Sequence, residues 1–144
     1  MRELKFRLLL DGKIVGYEKW YGGSFSFEDK YWIADPCWLY SRDGKTWTPK
    51  YIFHDSKEQF TGCHDKNGKD IYEGDIIECE YYPNLPTTKG AQLVWRGHIV
   101  YSKDTFYLYR YGEFEGIYAV AYGGSAIKRW EVIGNIHENP ELIA

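Results

Sequence analysis

The chain has 144 residues, of which 44% are apolar and 27% are charged, a balance typical of folded globular proteins that argues against a disordered chain. Eighteen basic and 21 acidic side chains give a net charge of −3, which argues against a generic polyanion-binding protein. Aromatic residues make up 19% of the chain, and together with 15 glycines they favour strands and turns over helices.

The N-terminal third predicts two hairpins. Residues 4–8 alternate apolar and charged side chains, which is typical of a half-buried strand. Asp11-Gly12 then separates this run from a second apolar run at residues 14–20, and Asp-Gly between two such runs predicts a hairpin turn. Asp43-Gly44 marks the turn of another hairpin. The segment from Tyr21 to Asp35 is rich in glycine, serine and aromatic residues without a clear period, and it predicts a long loop.

The rest of the chain predicts a run of short strands. Asn67-Gly68, the strongest hairpin signal among dipeptides, opens this region. Strand-like runs follow at residues 76–81, 93–101, 106–111, 117–122 and 130–136. Five strands at short spacing with turn signals between them predict a small barrel at about residues 60–137. We therefore expect a β-rich arm at residues 1–58 and a barrel domain at residues 59–144, packed as one unit.

The segment Tyr72-Glu73-Gly74-Asp75 predicts a sharp structural turn. Gly74 would permit the turn, and Asp75 would accept hydrogen bonds from nearby turn amides. Asn67 and Gly68 are assigned to a turn as well. The alternative is a cation site in which Asp65, Asp70, Glu73 and Asp75 converge, although their spacing does not match the Ca²⁺-binding loop pattern.

Metal and catalytic sites have little support in the sequence. Cys37, Cys63 and Cys79 include no C-x-x-C pair, so a structural zinc site would have to combine Cys63, His64 and a distant histidine. His137 lies beside Glu138, but adjacent side chains of a strand point to opposite faces, so the two do not form an acid–base pair. We expect no catalytic residue, no metal and no cofactor.

Three blocks of sequence carry a family resemblance. They are residues 2–7, residues 59–77 and residues 131–142, the last reading Glu-Val-Ile-Gly-Asn-Ile-His-Glu-Asn-Pro-Glu-Leu. With these blocks the chain resembles the YopX-like family of phage and prophage proteins. The resemblance implies a mainly-β intracellular protein that self-assembles, and it implies no enzyme activity and no catalytic residues.

The aromatic residues near the predicted barrel suggest a binding or interface face. Tyr107, Tyr109 and Tyr111 alternate along one strand and would share its outer face if Phe106 and Leu108 point to the core. The face predicted for binding consists of Trp95, Arg96, Tyr107, Tyr109, Arg110 and Tyr111. Residues 89–130 carry six basic and three acidic side chains, so this face could stack and neutralise a nucleic acid. A subunit interface is the favoured interpretation, because Tyr and Trp are enriched there.

These observations together predict a mainly-β protein: a small, partly open barrel of the Src-homology-3-like kind, with an N-terminal β-hairpin arm and little helix. No apolar run reaches the ~18 residues of a membrane-spanning helix, and the N-terminus lacks a signal-peptide core, so we expect a location in the bacterial cytoplasm. The expected partner is a second copy of the chain. Nucleic acid is the alternative partner, and no membrane or small-molecule substrate is expected.

Overall fold

The structure is a computed structural model, and it describes residues 3–22, 25–27, 31–33, 36–81, 93–102, 105–110, 113–116 and 129–143. The chain divides into two compact units, Met1–Phe60 and Thr61–Ala144. The described residues form twelve β-strands and one 3₁₀ turn at Pro140–Ile143, with no α-helix among them. The predicted mainly-β fold with little helix is confirmed.

The strands of the first unit are, in chain order, β1 (Lys5–Leu10), β2 (Lys13–Tyr21), β3 (Phe25–Phe27), β4 (Tyr31–Ile33), β5 (Cys37–Ser41) and β6 (Ser56–His64). Four of them form an antiparallel sheet in the order β5-β2-β1-β6. Strands β3 and β4 form a separate antiparallel pair. Strand β6 begins in the first unit and ends in the second.

Both predicted turns of the first unit are present. Asp11 and Gly12 have φ values of 52° and 76°, the left-handed pair that a tight hairpin turn between β1 and β2 requires. At the second turn, Asp43 accepts hydrogen bonds from the backbone amides of Thr46 (2.9 Å) and Lys45 (2.8 Å). These bonds, with a further one from the Ser41 hydroxyl, lower the pKa of Asp43 to about 2.

The predicted long loop at residues 21–35 is wrong, because this segment contains the paired strands β3 and β4. Phe25 pairs with Ile33, and Phe27 with Tyr31. Each strand has only three residues. A run this short is less than two full periods of strand alternation, so its pattern is lost among the surrounding glycines and serines.

Strand β1 is not the half-buried strand that its alternation predicts. Leu8 and Leu9, which point to opposite faces, are exposed by only 0% and 1%, and Arg7 is also buried. Its charge is compensated by Glu58 on β6, whose carboxylate lies 2.7 Å from the guanidinium. The alternating charge therefore marks an internal ion pair at this position and not a solvent face.

Gly16 on β2 lies where a side chain does not fit. A Cβ atom there would come within 2.8 Å of both the Ser41 carbonyl oxygen and the Ile52 side chain. We expect Gly16→Ala to lower the free energy of unfolding by about 1–3 kcal/mol, the usual cost of overpacking, as measured by urea denaturation. Gly22→Ala is the matched control, because its nearest neighbour would be 3.9 Å away. Equal stability of the two variants would contradict this account.

The second unit contains the strands β7 (Asp70–Tyr72), β8 (Asp75–Tyr81), β9 (Leu93–Ser102), β10 (Thr105–Arg110), β11 (Glu113–Gly116) and β12 (Trp130–Asn135). All of these except β7 form one antiparallel sheet in the order β11-β10-β9-β8-β12. In the described part of the chain this sheet is open between β11 and β12, which fits a partly open barrel and not a closed one. The strand predicted at residues 117–122 lies outside the described residues, and β11 was not predicted.

One apolar cluster forms the core of the second unit. It contains Ile71, Ile77, Cys79, Ile99, Phe106, Leu108, Trp130 and Val132, all of them buried. Cross-strand pairing explains why these residues meet, since Leu108 pairs with Ile99 and Trp130 with Cys79. The alternate residues of the same strands therefore form the other face of the sheet, where Tyr107 and Tyr109 lie.

Candidate binding surface

Strand β10 presents tyrosines on the face opposite the core. Phe106 and Leu108 are exposed by only 6% and 2%, whereas Tyr107 and Tyr109 are half-buried. Tyr109 packs across the sheet on His98, with 5.2 Å between ring centroids. Partial burial lowers the pKa of His98, which favours its neutral form. Tyr109 and His98 therefore form an aromatic pair on this face.

Arg96 on β9 is already engaged within the second unit. Its Nε atom donates to Glu78 Oε2 over 2.8 Å, and Nη1 donates to the Leu142 carbonyl over 3.3 Å. Lys66 forms a second exposed pair with Glu131, at 3.4 Å. The charge of Arg96, on the strand next to the two tyrosines, is thus balanced, and the basic character expected of this face is neutralised at that position.

The other residues of the predicted face are described only in part. The backbone of Trp95 pairs with Cys79 on β8, and that of Arg110 pairs with Glu113 on β11. The side chains of Trp95 and Arg110, and the whole of Tyr111, lie outside the described residues. The structure therefore places Arg96, Tyr107 and Tyr109 on neighbouring strands of one sheet.

The predicted turn residues occupy two tight turns of the second unit. Gly68 has a φ of 81° in the turn that includes Asn67, and Gly74 has a φ of 85°. The Tyr72 amide donates to Asp75 Oδ2 over 2.7 Å. Asp75 is exposed by only 1%, so its carboxylate anchors the turn from inside the unit.

Asp65, Asp70 and Asp75, three of the four carboxylates considered for a cation site, have separate partners. Asp65 accepts from the backbone amides of Asn67, Lys69 and Val132, each at 2.9 Å. Asp70 lies 2.9 Å from the His64 ring. The described residues include no group of three or more metal-ligating side chains. Asp65 and Asp75 accept hydrogen bonds from backbone amides, which is the structural alternative to a cation site in the sequence analysis.

Cys63 and His137 were the remaining residues considered for a metal or catalytic site. Burial raises the pKa of the Cys63 thiol. The Asn135 side chain accepts from the amides of His137 (3.0 Å) and Glu138 (2.9 Å), which closes the turn after β12. The His137 side chain is exposed.

A second aromatic surface lies on the sheet of the first unit, and sequence reasoning did not single it out. We call it the tryptophan face: Leu4, Phe6, Trp20 and Trp38. Trp20 and Trp38 pair across strands β2 and β5 and meet edge to face, with 5.4 Å between centroids. Trp38 also lies 6.1 Å from Phe6 on β1. Trp20 remains 43% exposed and Leu4 41% exposed, so apolar side chains of this face are accessible to solvent.

Beside the tryptophan face, Glu18 and Lys57 form a half-enclosed ion pair. Lys57 Nζ lies 2.7 Å from Glu18 Oε1, 4.6 Å from the Phe6 ring centroid and 5.6 Å from that of Trp38. The Glu18 side chain is 4% exposed, and that of Lys57 is 44% exposed. Burial, the Glu18 charge and a hydrogen bond to Glu18 raise the pKa of Tyr40 to about 12. Two donors therefore converge on one buried carboxylate.

The comparison with protein families is decisive for the chain's identity. The YopX protein family model matches residues 17–144. The chain belongs to the YopX family. Protein EF1440 from Enterococcus faecalis, solved as a crystal structure, is similar over 100% of both chains, with a TM-score of 0.57 and 22% sequence identity. At this identity the similarity shows the fold. No curated protein matches the chain.

The two longest blocks of YopX resemblance meet in the structure. The Val132 amide of the second block donates to Asp65 Oδ2 of the first block over 2.9 Å, and the Lys66 amide donates to the carbonyl of Trp130, the residue just before the second block, over 2.9 Å. The Ile136 amide also donates to the Gly74 carbonyl over 2.9 Å. In this YopX-family chain, these two blocks are thus tied together by hydrogen bonds within the second unit.

Proposed function

We propose that this YopX-family chain is a non-catalytic binding and assembly module that forms a homo-oligomer through the tryptophan face. The phage or prophage origin and the cytoplasmic location implied by the sequence belong to this proposal. Among the described residues no helix is long and apolar enough to cross a membrane. The observation that carries the proposal is Trp20, 43% exposed yet held edge-on against Trp38.

Fixed, exposed rings favour association for two physical reasons. Covering Trp20 and Leu4 would remove apolar surface from water, at roughly 25 cal/mol per Å². Because Trp20 is already packed against Trp38, it would lose little side-chain entropy when a partner covers it. Trp residues in such positions are frequent binding hot spots.

Light scattering coupled to size-exclusion chromatography tests this proposal. We expect the wild-type chain to elute as an oligomer, and Trp20→Ala to weaken association about 30-fold, the effect of a hot-spot residue of ~2 kcal/mol. Phe53→Ala is the matched control, because Phe53 is 69% exposed but lies outside the tryptophan face. A wild-type monomer at high concentration, or equal association of the two variants, would refute the proposal.

Nucleic-acid binding through Tyr107 and Tyr109 is the second candidate. It is supported by the two half-buried tyrosines on one face of β10, because exposed rings can stack on bases. The pairing of Arg96 with Glu78 removes one cation from that face and makes this candidate the weaker one. Binding of a single-stranded oligonucleotide that is lost as salt rises would support it.

A further inference from the structure

The Glu18–Lys57 pair differs from an ordinary surface ion pair in its surroundings. The acid is buried, whereas the base reaches it across the faces of two aromatic rings. A ring face attracts a cation through its quadrupole, and a carboxylate accepts hydrogen bonds from an ammonium group. Phe6, Trp38 and Glu18 therefore surround one ammonium position, which we call the ammonium recess, and they have the chemistry to hold an alkylammonium head group.

Lys57 has the properties of an exchangeable occupant of the ammonium recess. Its side chain is 44% exposed and is linked to β6 by a flexible four-carbon stem. Two other lysine–ring contacts are described in the first unit, Lys19 over Trp47 and Lys5 over Phe60, each at 4.3 Å from the ring centroid. Only at Lys57, among these three described contacts, does a buried carboxylate lie behind the ring-bound ammonium.

Departure of Lys57 would leave Glu18 as a buried carboxylate without its cation. Such a charge is strongly unfavourable unless another cation replaces it. Tyr40 would still donate its hydroxyl hydrogen to Glu18. Because the tyrosine supplies no positive charge, the position left by the Lys57 ammonium would favour another cation.

We propose that the ammonium recess is a binding site for primary alkylammonium ligands, which replace the Lys57 head group on Glu18. The site needs no second copy of the chain, but Phe6 and Trp38 also belong to the tryptophan face, so a partner chain would compete with the ligand and the titration is made at chain concentrations below the onset of association. Because Nζ donates to Glu18 over 2.7 Å, the ligand needs an N–H group. A quaternary ammonium of equal charge can contact the rings but has no hydrogen to donate.

The test follows the tryptophan indole N–H signals by NMR while n-butylammonium is added to the full chain. The Trp38 signal is assigned with Trp38→Phe. We expect a saturable shift of this signal in the wild type, and an apparent affinity at least tenfold higher in Lys57→Ala, where the internal competitor is absent. Tetramethylammonium at equal ionic strength should bind at least tenfold more weakly. Glu18→Gln should abolish the preference for butylammonium.

Two further variants keep the result interpretable. Lys57→Gln retains a donor for Glu18 and serves if Lys57→Ala does not fold, and it should also bind more tightly than the wild type. Lys13→Ala removes an exposed lysine elsewhere on β2 and should bind as the wild type does. The proposal is overturned if the wild-type Trp38 signal does not move, if neither Lys57 variant binds more tightly, or if tetramethylammonium is equally effective.

Discussion

Replacing Arg7 with methionine should lower the free energy of unfolding by about 3–5 kcal/mol, the usual cost of removing one partner of a buried ion pair. Arg7 donates from Nε (3.0 Å) and Nη2 (2.7 Å) to Glu58 Oε1, and both side chains are less than a tenth exposed. Without the guanidinium, the buried Glu58 side chain would lose the cation with which it is paired. Urea denaturation followed by tryptophan fluorescence measures the loss.

Two controls separate this effect from a general loss of charge or packing. The double variant Arg7→Met/Glu58→Leu should recover most of the lost stability, because it removes the uncompensated carboxylate as well. Lys66→Met breaks an ion pair whose two side chains are both 39% exposed, and should cost less than about 1 kcal/mol. If Arg7→Met lowered the free energy of unfolding no more than Lys66→Met does, the buried ion pair would not stabilise the fold as expected.

The ion pair also shows where prediction from sequence stops. The alternation of residues 4–8 correctly predicts a strand, because side chains alternate between faces whatever covers them. The alternation does not indicate whether one face of the strand or both faces are buried. That depends on Glu58, which is 51 positions away along the chain and reaches Arg7 only through the pairing of β1 with β6.

Turns were predictable for a local reason. Asp11-Gly12, Asp43-Gly44 and Asn67-Gly68 lie at turns because glycine adopts positive φ at little cost, which is a property of the residue itself. By contrast, the β3–β4 pair consists of three-residue strands, and its existence depends on pairing more than on local pattern.

The candidate surface was predictable to a smaller extent. Tyr107 and Tyr109 lie opposite Phe106 and Leu108, as alternation along a single strand indicates. The tryptophan face could not be inferred this way, because it combines residues from β1, β2 and β5. The register between those strands, such as Trp20 opposite Trp38, brings the rings together, and a single sequence does not specify it.

Replacing Asp65 with alanine should lower the free energy of unfolding by about 3 kcal/mol or more. The carboxylate is 7% exposed and accepts three backbone hydrogen bonds, and bonds to charged groups contribute about 1.5–3 kcal/mol each. Oδ1 holds the turn amides of Asn67 and Lys69, while Oδ2 reaches Val132, 67 positions away. The loss of stability therefore has two parts, the hydrogen bonds within the turn and the hydrogen bond to strand β12.

Asp65→Asn resolves these two contributions. The amide oxygen can replace Oδ1 in the turn, but its nitrogen then faces the Val132 N–H, donor against donor. We expect a cost of about 1–3 kcal/mol, the penalty for one buried unsatisfied donor, and faster hydrogen exchange at Val132 than at Asn67. Asp43→Asn, in an exposed turn, should cost distinctly less. If Asp65→Asn were as stable as the wild type, the bond to Val132 would not hold β12 in place, and the two blocks of family resemblance would be joined mainly by strand pairing.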